Sequence, residues 1–192
     1  MNVVGLLLAA GSAKRFGSDK LLHPLQHGVP IAVQAARHLK AEIPRVVAAL
    51  RPQSENLAKL LEAEGCEVAL CANADEGMGA SLACAVRAAG AADGYLVALA
   101  DMPFVRPTSI AAVRDALAGG ARIAAPYFRT RRGHPVGISG SFYEQLIELG
   151  GDEGARSILA AHEAGLIKVP VGDPGVIRDI DQPGDLAPPI VA

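Results

Sequence analysis

Apolar and polar positions follow one another along this chain in two kinds of block. Val3–Ala9 is a continuous apolar run leading to Gly11, the pattern of a strand buried on both faces. Pro30–Leu39 carries apolar residues at helical spacing, and Arg45–Leu50 reads as the next strand. Ser54–Glu64 predicts a helix with Ser54 as its N-cap, Glu67–Cys71 a short strand, and Ala80–Ala89 a helix of small residues. Tyr95–Ala100 is a second strongly apolar strand, and Thr108–Leu117 is a helix entered at Pro107 and closed by Gly119 and Gly120. The rhythm then changes. Ile123–Phe128 and His134–Ser139 are strand-like, with Thr130–Gly133 between them as a hairpin connection. Helical patterns at Phe142–Leu149 and Ala155–Ala164 precede short strands at Ile167–Val171 and Val176–Ile180, and the tail from Pro188 reads as frayed.

Strand and helix alternating in this way predict a single α/β domain over residues 1–192. It has three layers, a mostly parallel mixed sheet covered by helices on both faces and a β-hairpin insert. Ligands of such sheets sit beyond the carboxyl ends of the strands. The segments to inspect are therefore Ala9–Lys20 and Ala100–Pro103.

Composition narrows the picture. With 192 residues, 51% of them hydrophobic, the chain can bury a sizeable core and disorder is excluded. Aromatic content of 4% and the absence of Trp mean a core of Ala, Val, Leu and Ile. A formal net charge of -2 argues against nucleic-acid binding by bulk charge. The run Val3–Ala10 is too short to span a bilayer and lacks a charged leader, so neither a membrane span nor a signal peptide is expected, and the location expected is cytoplasmic. Cys66, Cys71 and Cys84 are odd in number and complete no zinc pattern. They are expected as reduced, mostly buried thiols.

Candidate chemistry begins after the first strand. Ala9, Ala10 and Gly11 are small enough for backbone amides to approach a ligand and form an anion-binding concavity. Arg15 and Lys20 add positive charge, and Gly17 permits a turn between them. That composition suits a polyphosphate but departs from a Walker loop, because Lys20 does not directly follow the second glycine. Composition alone leaves a solvated loop equally open. Asp101 stands at the end of the second apolar strand, where a lone carboxylate facing a triphosphate is a natural Mg²⁺ ligand. Asp179 and Asp181, two apart, share one side if they lie in a strand, and Asp181 can instead cap a turn at Pro183. Gly77-Met78-Gly79 has only part of a dinucleotide fingerprint, since Leu82 stands where the third glycine belongs. Arg129, Arg131 and Arg132 beside His134 read as a solvated charge run, and Asp152 as a helix N-cap.

Leu8-Ala9-Ala10-Gly11 followed by Arg15, Gly17, Lys20 and Leu21 resembles the signature of nucleotidyltransferases that join a nucleoside monophosphate to a phosphorylated acceptor. Further matches are Glu76–Ser81, Ala100-Asp101-Met102-Pro103, Arg132-Gly133-His134-Pro135, Gly151–Arg156 and Asp179-Ile180-Asp181. They fall in the family's order over nearly the whole chain, with Ala100 in place of a common glycine. Within the superfamily the chain most resembles the molybdenum cofactor cytidylyltransferases of the MobA-like group. The resemblance implies a Rossmann-like nucleotidyltransferase fold and CMP transfer from CTP to the phosphate of molybdopterin with release of pyrophosphate. It assigns catalysis to Arg15, Lys20 and Asp101. The nucleotide falls to Leu8, Ala9, Ala10, Gly11, Gly77, Gly79 and Ser81, the acceptor to His134, Asp152 and Arg156, and Mg²⁺ to Asp101 with Asp181 or Asp179. Molybdopterin and a molybdoenzyme maturation chaperone are the partners it suggests. Guanylyl-transferring relatives typically carry a second glycine in place of Ala10, so the resemblance points to the cytidylyl branch. GTP or another phosphorylated acceptor, such as a sugar or polyol phosphate, and a non-catalytic nucleotide or cofactor carrier are the alternatives.

Overall fold

A computed structural model describes residues 1–11 and 20–187. Its strands are β1 (Val3–Leu8), β2 (Val46–Leu50), β3 (Glu67–Leu70), β4 (Gly94–Leu99), β5 (Ile123–Phe128), β6 (Arg131–Arg132), β7 (Val136–Ser139) and β8 (Leu166–Pro170). They form one eight-stranded sheet in the order β3-β2-β1-β4-β7-β5-β6, with β8 paired to β5. The β3-β2-β1-β4 block is parallel throughout, and β7 joins it to β5 by antiparallel pairing on both sides. The helices are α1 (Ile31–Glu42), α2 (Glu55–Ala63), α3 (Met78–Ala89), α4 (Pro107–Ala118), α5 (Tyr143–Ile147) and α6 (Arg156–Ala161).

Alternation along the strands explains the unbroken apolar runs. Leu7, Ala48 and Leu96 point to one face, where they pack with α1, α2 and α4 through Leu39, Leu61 and Val113. Leu6, Leu8, Val47 and Ala49 point to the other and meet Leu82 and Val86 of α3, Leu146 of α5 and Leu159 of α6. Both faces of β1 are therefore dry, as its sequence requires. The cores are aliphatic apart from a few rings, among them Tyr95, whose hydroxyl donates to the Gly90 carbonyl at 2.7 Å, and Phe142.

Helix α1 crosses on one face and α3 on the other, so the chain leaves β1 and reaches β4 from opposite sides of the sheet. The crevice at the carboxyl ends of β1 and β4 is thus a topological switch point, the usual ligand position of an open α/β sheet. The hairpin expected between Ile123–Phe128 and His134–Ser139 is tighter than its sequence suggests: Thr130–Gly133, expected as the connection, contains β6, where Phe128 pairs with Arg131 and Tyr127 with Arg132, and the turn holds Arg129 at φ 56°.

Two expectations are corrected. The apolar run Val176–Ile180 is not a strand; Pro174–Ile177 is a 3₁₀ turn. Its residues are apolar because Val176 and Ile180 are buried in the core, and the Val176 carbonyl accepts from the His134 amide at 2.8 Å. The cysteines are not all free thiols. Cys71, just past β3, is joined to Cys84 in α3, and Cys66 remains a buried thiol. Among the described residues no helix is long and apolar enough to cross a membrane.

Candidate active site

A cleft of about 360 Å³ occupies the switch point. Leu8, Ala9, Ala10, Gly11, Gly77 and Ser81 all line it, so every residue read from the sequence as nucleotide-binding except Gly79 meets there. Ladder bonds continued past the strands hold its floor: Ala9 N donates to Ala49 O at 2.9 Å and Ala100 N to Leu8 O at 3.0 Å. The Ala10 methyl is buried in the core on the α3 side while the residue also lines the cleft. The loop with Arg15 and Gly17 lies outside the described residues.

The far wall is made by two glycine segments pressed together. Gly77 has φ 124°, a conformation that L side chains rarely adopt, and a Cβ there would run into Asp152 Oδ1 and the Gly151 carbonyl. Gly79 does not line the cleft, but a Cβ on it would strike the Gly150 carbonyl, and its amide donates to Gly151 O at 2.7 Å. Ser81 Oγ donates to the Gly77 carbonyl at 3.2 Å and secures the first turn of α3. Asp152 is not an N-cap, since α6 begins after Ala155. Its side chain instead faces the cleft beside Gly77.

Charge is concentrated at the β4 end. Asp101, Asp179 and Asp181 each offer an oxygen, and these lie within 4.8 Å of one another. The Lys20 ammonium donates to Asp101 Oδ2 at 2.9 Å and to Asp181 Oδ1 at 3.3 Å. Burial of Lys20 works against its charge, but the bonds to Asp101 and Asp181 outweigh it and hold its pKa above the ordinary lysine value. The competing reading of Asp181 as a cap fails: Gln182 and Asp185 form the capping box of the turn at Pro183–Leu186. A set of carboxylate oxygens this close, without nitrogen or sulfur donors in the cluster, suits a hard divalent cation such as Mg²⁺ or Mn²⁺.

The remaining expected residues are placed differently. His134 sits beside the cleft, among Met102, Leu99 and Val105, with Nδ1 3.4 Å from the Val97 carbonyl. Burial pushes its pKa down. Arg156 is exposed at the start of α6 and does not line the cleft. Arg129, Arg131 and Arg132 are solvent-exposed. One residue escaped the sequence reading. Arg51, just past β2, donates from Nε to the Ala10 carbonyl at 2.7 Å and pairs through a second nitrogen with Asp75 at 2.9 Å. It ties the floor of the cleft to the Ala74–Glu76 turn. Its position at the carboxyl end of a parallel strand was the available signal.

A mostly parallel sheet whose switch-point cleft joins a small-residue loop, a buried lysine and clustered carboxylates has the Rossmann-like nucleotidyltransferase fold. The chain matches the MobA-like NTP transferase domain over residues 5–165 and belongs to that family. It is 28% identical over 191 residues to the purine catabolism protein PucB of Bacillus subtilis (strain 168), covering 94% of this chain and 92% of the relative. Among solved structures, Rv0371c of Mycobacterium tuberculosis H37Rv superposes with a TM-score of 0.82 at 23% identity, covering 96% of this chain and 94% of that one. Rv0371c has also been solved as a complex with manganese. A nucleotidyl transferase from Methanothermobacter superposes with a TM-score of 0.80 at 22% identity, over 95% and 93% of the two chains.

Proposed function

We propose that this nucleotidyltransferase moves CMP from CTP to the phosphate of molybdopterin and releases pyrophosphate. The observation that carries the reading is the meeting of Ala10, Lys20 and the Asp101 cluster in one switch-point cleft. An oxygen of the acceptor phosphate attacks the α-phosphorus of CTP, a new P–O bond forms, and the bond to the β-phosphate oxygen breaks with its electron pair leaving on pyrophosphate. The attacking oxygen is already anionic, so no general base is required. The work of the protein is positioning and charge neutralisation.

Small residues at Ala9–Gly11 let the backbone approach the triphosphate, and Lys20 opposes the charge of the reacting phosphates, with Arg15 assigned to the same task by the family pattern. Asp101 together with Asp181 or Asp179 would hold Mg²⁺. When bound, the ion supplies Lewis-acid charge against phosphate oxygens. Lys20 already pairs with Asp101 and Asp181, so the ammonium and a bound ion would share one anionic centre.

Preference for CTP rests on Ala10. Its methyl packs into the core on the α3 side and so fixes the floor of the cleft more tightly than a glycine would, and its carbonyl is already engaged by Arg51. A pyrimidine fits such a floor better than a fused purine. A base edge left unpaired costs about 1–3 kcal/mol, enough for at least roughly tenfold discrimination. Initial rates of pyrophosphate release with CTP, GTP, ATP and UTP, at one concentration and with molybdopterin as acceptor, test the reading. CTP should lead GTP by at least that factor. A preference for GTP would place the chain in the guanylyl branch, and turnover only with a sugar or polyol phosphate would overturn the acceptor.

A further inference from the structure

A second cavity, of about 330 Å³, shares no lining residue with the nucleotide cleft. Its walls include Leu25 ahead of α1, Gln34 and His38 of α1, and Pro103, Phe104 and Arg106 leading into α4. Helices α1 and α4 cover one face of the sheet, whereas the Gly77–Ser81 wall of the nucleotide cleft belongs to α3 on the other. The nucleotide cleft straddles the sheet edge, lined by Ala9 and Leu21 from the α1 side and by Leu8 and Ala10 from the α3 side, whereas the second cavity lies on the α1 side, past the Asp101–Phe104 segment. Pro103 is two residues past Asp101, a chain reach of at most about 7 Å. Arg178, the residue before Asp179, sets its guanidinium 5.8 Å from the centroid of the Phe104 ring. The second cavity thus adjoins the carboxylate cluster. In an in-line displacement the attacking oxygen and the leaving group lie on opposite sides of the phosphorus. An acceptor approaching from this cavity meets a nucleotide lying in the other.

The lining is chemically selective. His38 Nδ1 lies 2.7 Å from the Val105 carbonyl and so carries the proton. Its Nε2 then accepts from Gln34 Nε2 at 2.6 Å, and this pair fixes the orientation of the Gln34 amide. The carboxamide oxygen and second N–H of Gln34 make no other side-chain bond among the described residues. They form a positioned acceptor–donor pair beside the flat face of Phe104 and the apolar Leu25 and Pro103. Asp173, also on the wall, offers little, because it is buried and accepts from Arg106 N, Ser109 Oγ and Gly175 N at 2.8, 2.8 and 2.9 Å. A cavity wall with one oriented amide beside an aromatic side chain suits a heterocycle whose edge presents an N–H beside a carbonyl.

We propose that this cavity holds the pterin ring system of the acceptor while the acceptor's phosphate extends to Lys20 and Asp101; the assignment rests on the molybdopterin reading above. Gln34 is then a specificity-determining residue that reads the pterin edge, and Phe104 is the surface on which the ring packs. Two assays separate the cavity from the reaction. In the first, a phosphate-free pterin, 6-hydroxymethylpterin, is titrated against the full chain and its fluorescence followed. Wild type should bind it, and Gln34→Leu and Phe104→Leu should each weaken binding at least about tenfold, the effect of one lost polar or stacking contact. In the second, the same variants should raise the KM for molybdopterin by a similar factor and leave the KM for CTP within about twofold. Absence of pterin binding by wild type, or unchanged pterin affinity and acceptor KM in both folded variants, overturns the cavity assignment. Failure of wild type to turn over molybdopterin overturns the transfer reading, and the assignment with it.

Discussion

Replacing Lys20 by Met removes an ammonium from among carboxylates while keeping most of the side-chain volume. Lys20 Nζ lies 2.9 Å from Asp101 and 3.3 Å from Asp181, whose side chains are 25% and 53% exposed. Removing one partner of a fully buried ion pair costs about 3–5 kcal/mol, whereas an exposed pair contributes about 0–1 kcal/mol. The partial exposure here places the expected loss between them, at about 1–3 kcal/mol in metal-free buffer near neutral pH. Because the folded pKa of Lys20 is raised, its contribution is complete below the ordinary lysine pKa of about 10.4 and is lost as pH rises through the higher folded value. The stability gap between wild type and Lys20→Met should therefore stay level from about pH 7 to 9 and shrink only in stronger alkali. Added Mn²⁺ should narrow the gap, since the ion replaces the missing positive charge among Asp101, Asp179 and Asp181. Turnover should still fall at least about tenfold with metal present, about 1.4 kcal/mol of lost transition-state stabilisation. Urea unfolding with and without Mn²⁺, paired with pyrophosphate release, measures all of this. Equal stability of the two proteins without metal, or full turnover by the variant, would refute the reasoning.

Two further outcomes follow from the packing. Gly77→Ala should lose about 1–3 kcal/mol in thermal unfolding, as a strained backbone meets a blocked Cβ position, whereas Gly172→Ala, with nothing within 4 Å of its added Cβ, should be nearly neutral. Burial pushes the Cys66 thiol up to about 11, so native protein should resist alkylation at pH 8; unfolding without reductant should expose one thiol and with reductant three, and three without reductant would show Cys71 and Cys84 unpaired.

Much of the fold was legible because the sequence pattern and the burial have one cause. Val3–Ala9 is apolar at every position because both faces of β1 are covered, and Asp101 interrupts an apolar run because the strand ends there at the sheet's carboxyl edge. The residues missed depend on contacts distant in the chain. Val176 and Ile180 are as apolar as strand residues, yet Val176 lies in the turn Pro174–Ile177 and Ile180 in the irregular segment after it, and both are still buried. That turn brings Asp179 to Asp101 alongside Asp181, a meeting set by where the chain returns after β8. Arg51 carries no local signal for its role, because its bond to Ala10 exists only once β2 lies beside β1. The Cys71–Cys84 pair joins a strand end to a helix, and a separation of 13 residues does not announce a 5.9 Å Cα distance. The second cavity was invisible for the same reason, being assembled from α1, the segment after Asp101 and the start of α4.

The central claim is that nucleotidyl transfer takes place at the Asp101 carboxylate cluster. Its most direct test is one assay that counts pyrophosphate and cytidylylated molybdopterin together, for wild type and for Asp101→Asn, with Mg²⁺ and then with excess chelator. Wild type should release one pyrophosphate for each CMP transferred and form no product in chelator, and a folded Asp101→Asn protein should lose at least about a hundredfold, about 2.7 kcal/mol of electrostatic stabilisation. Undiminished product from Asp101→Asn, or turnover that persists in chelator, would contradict that claim.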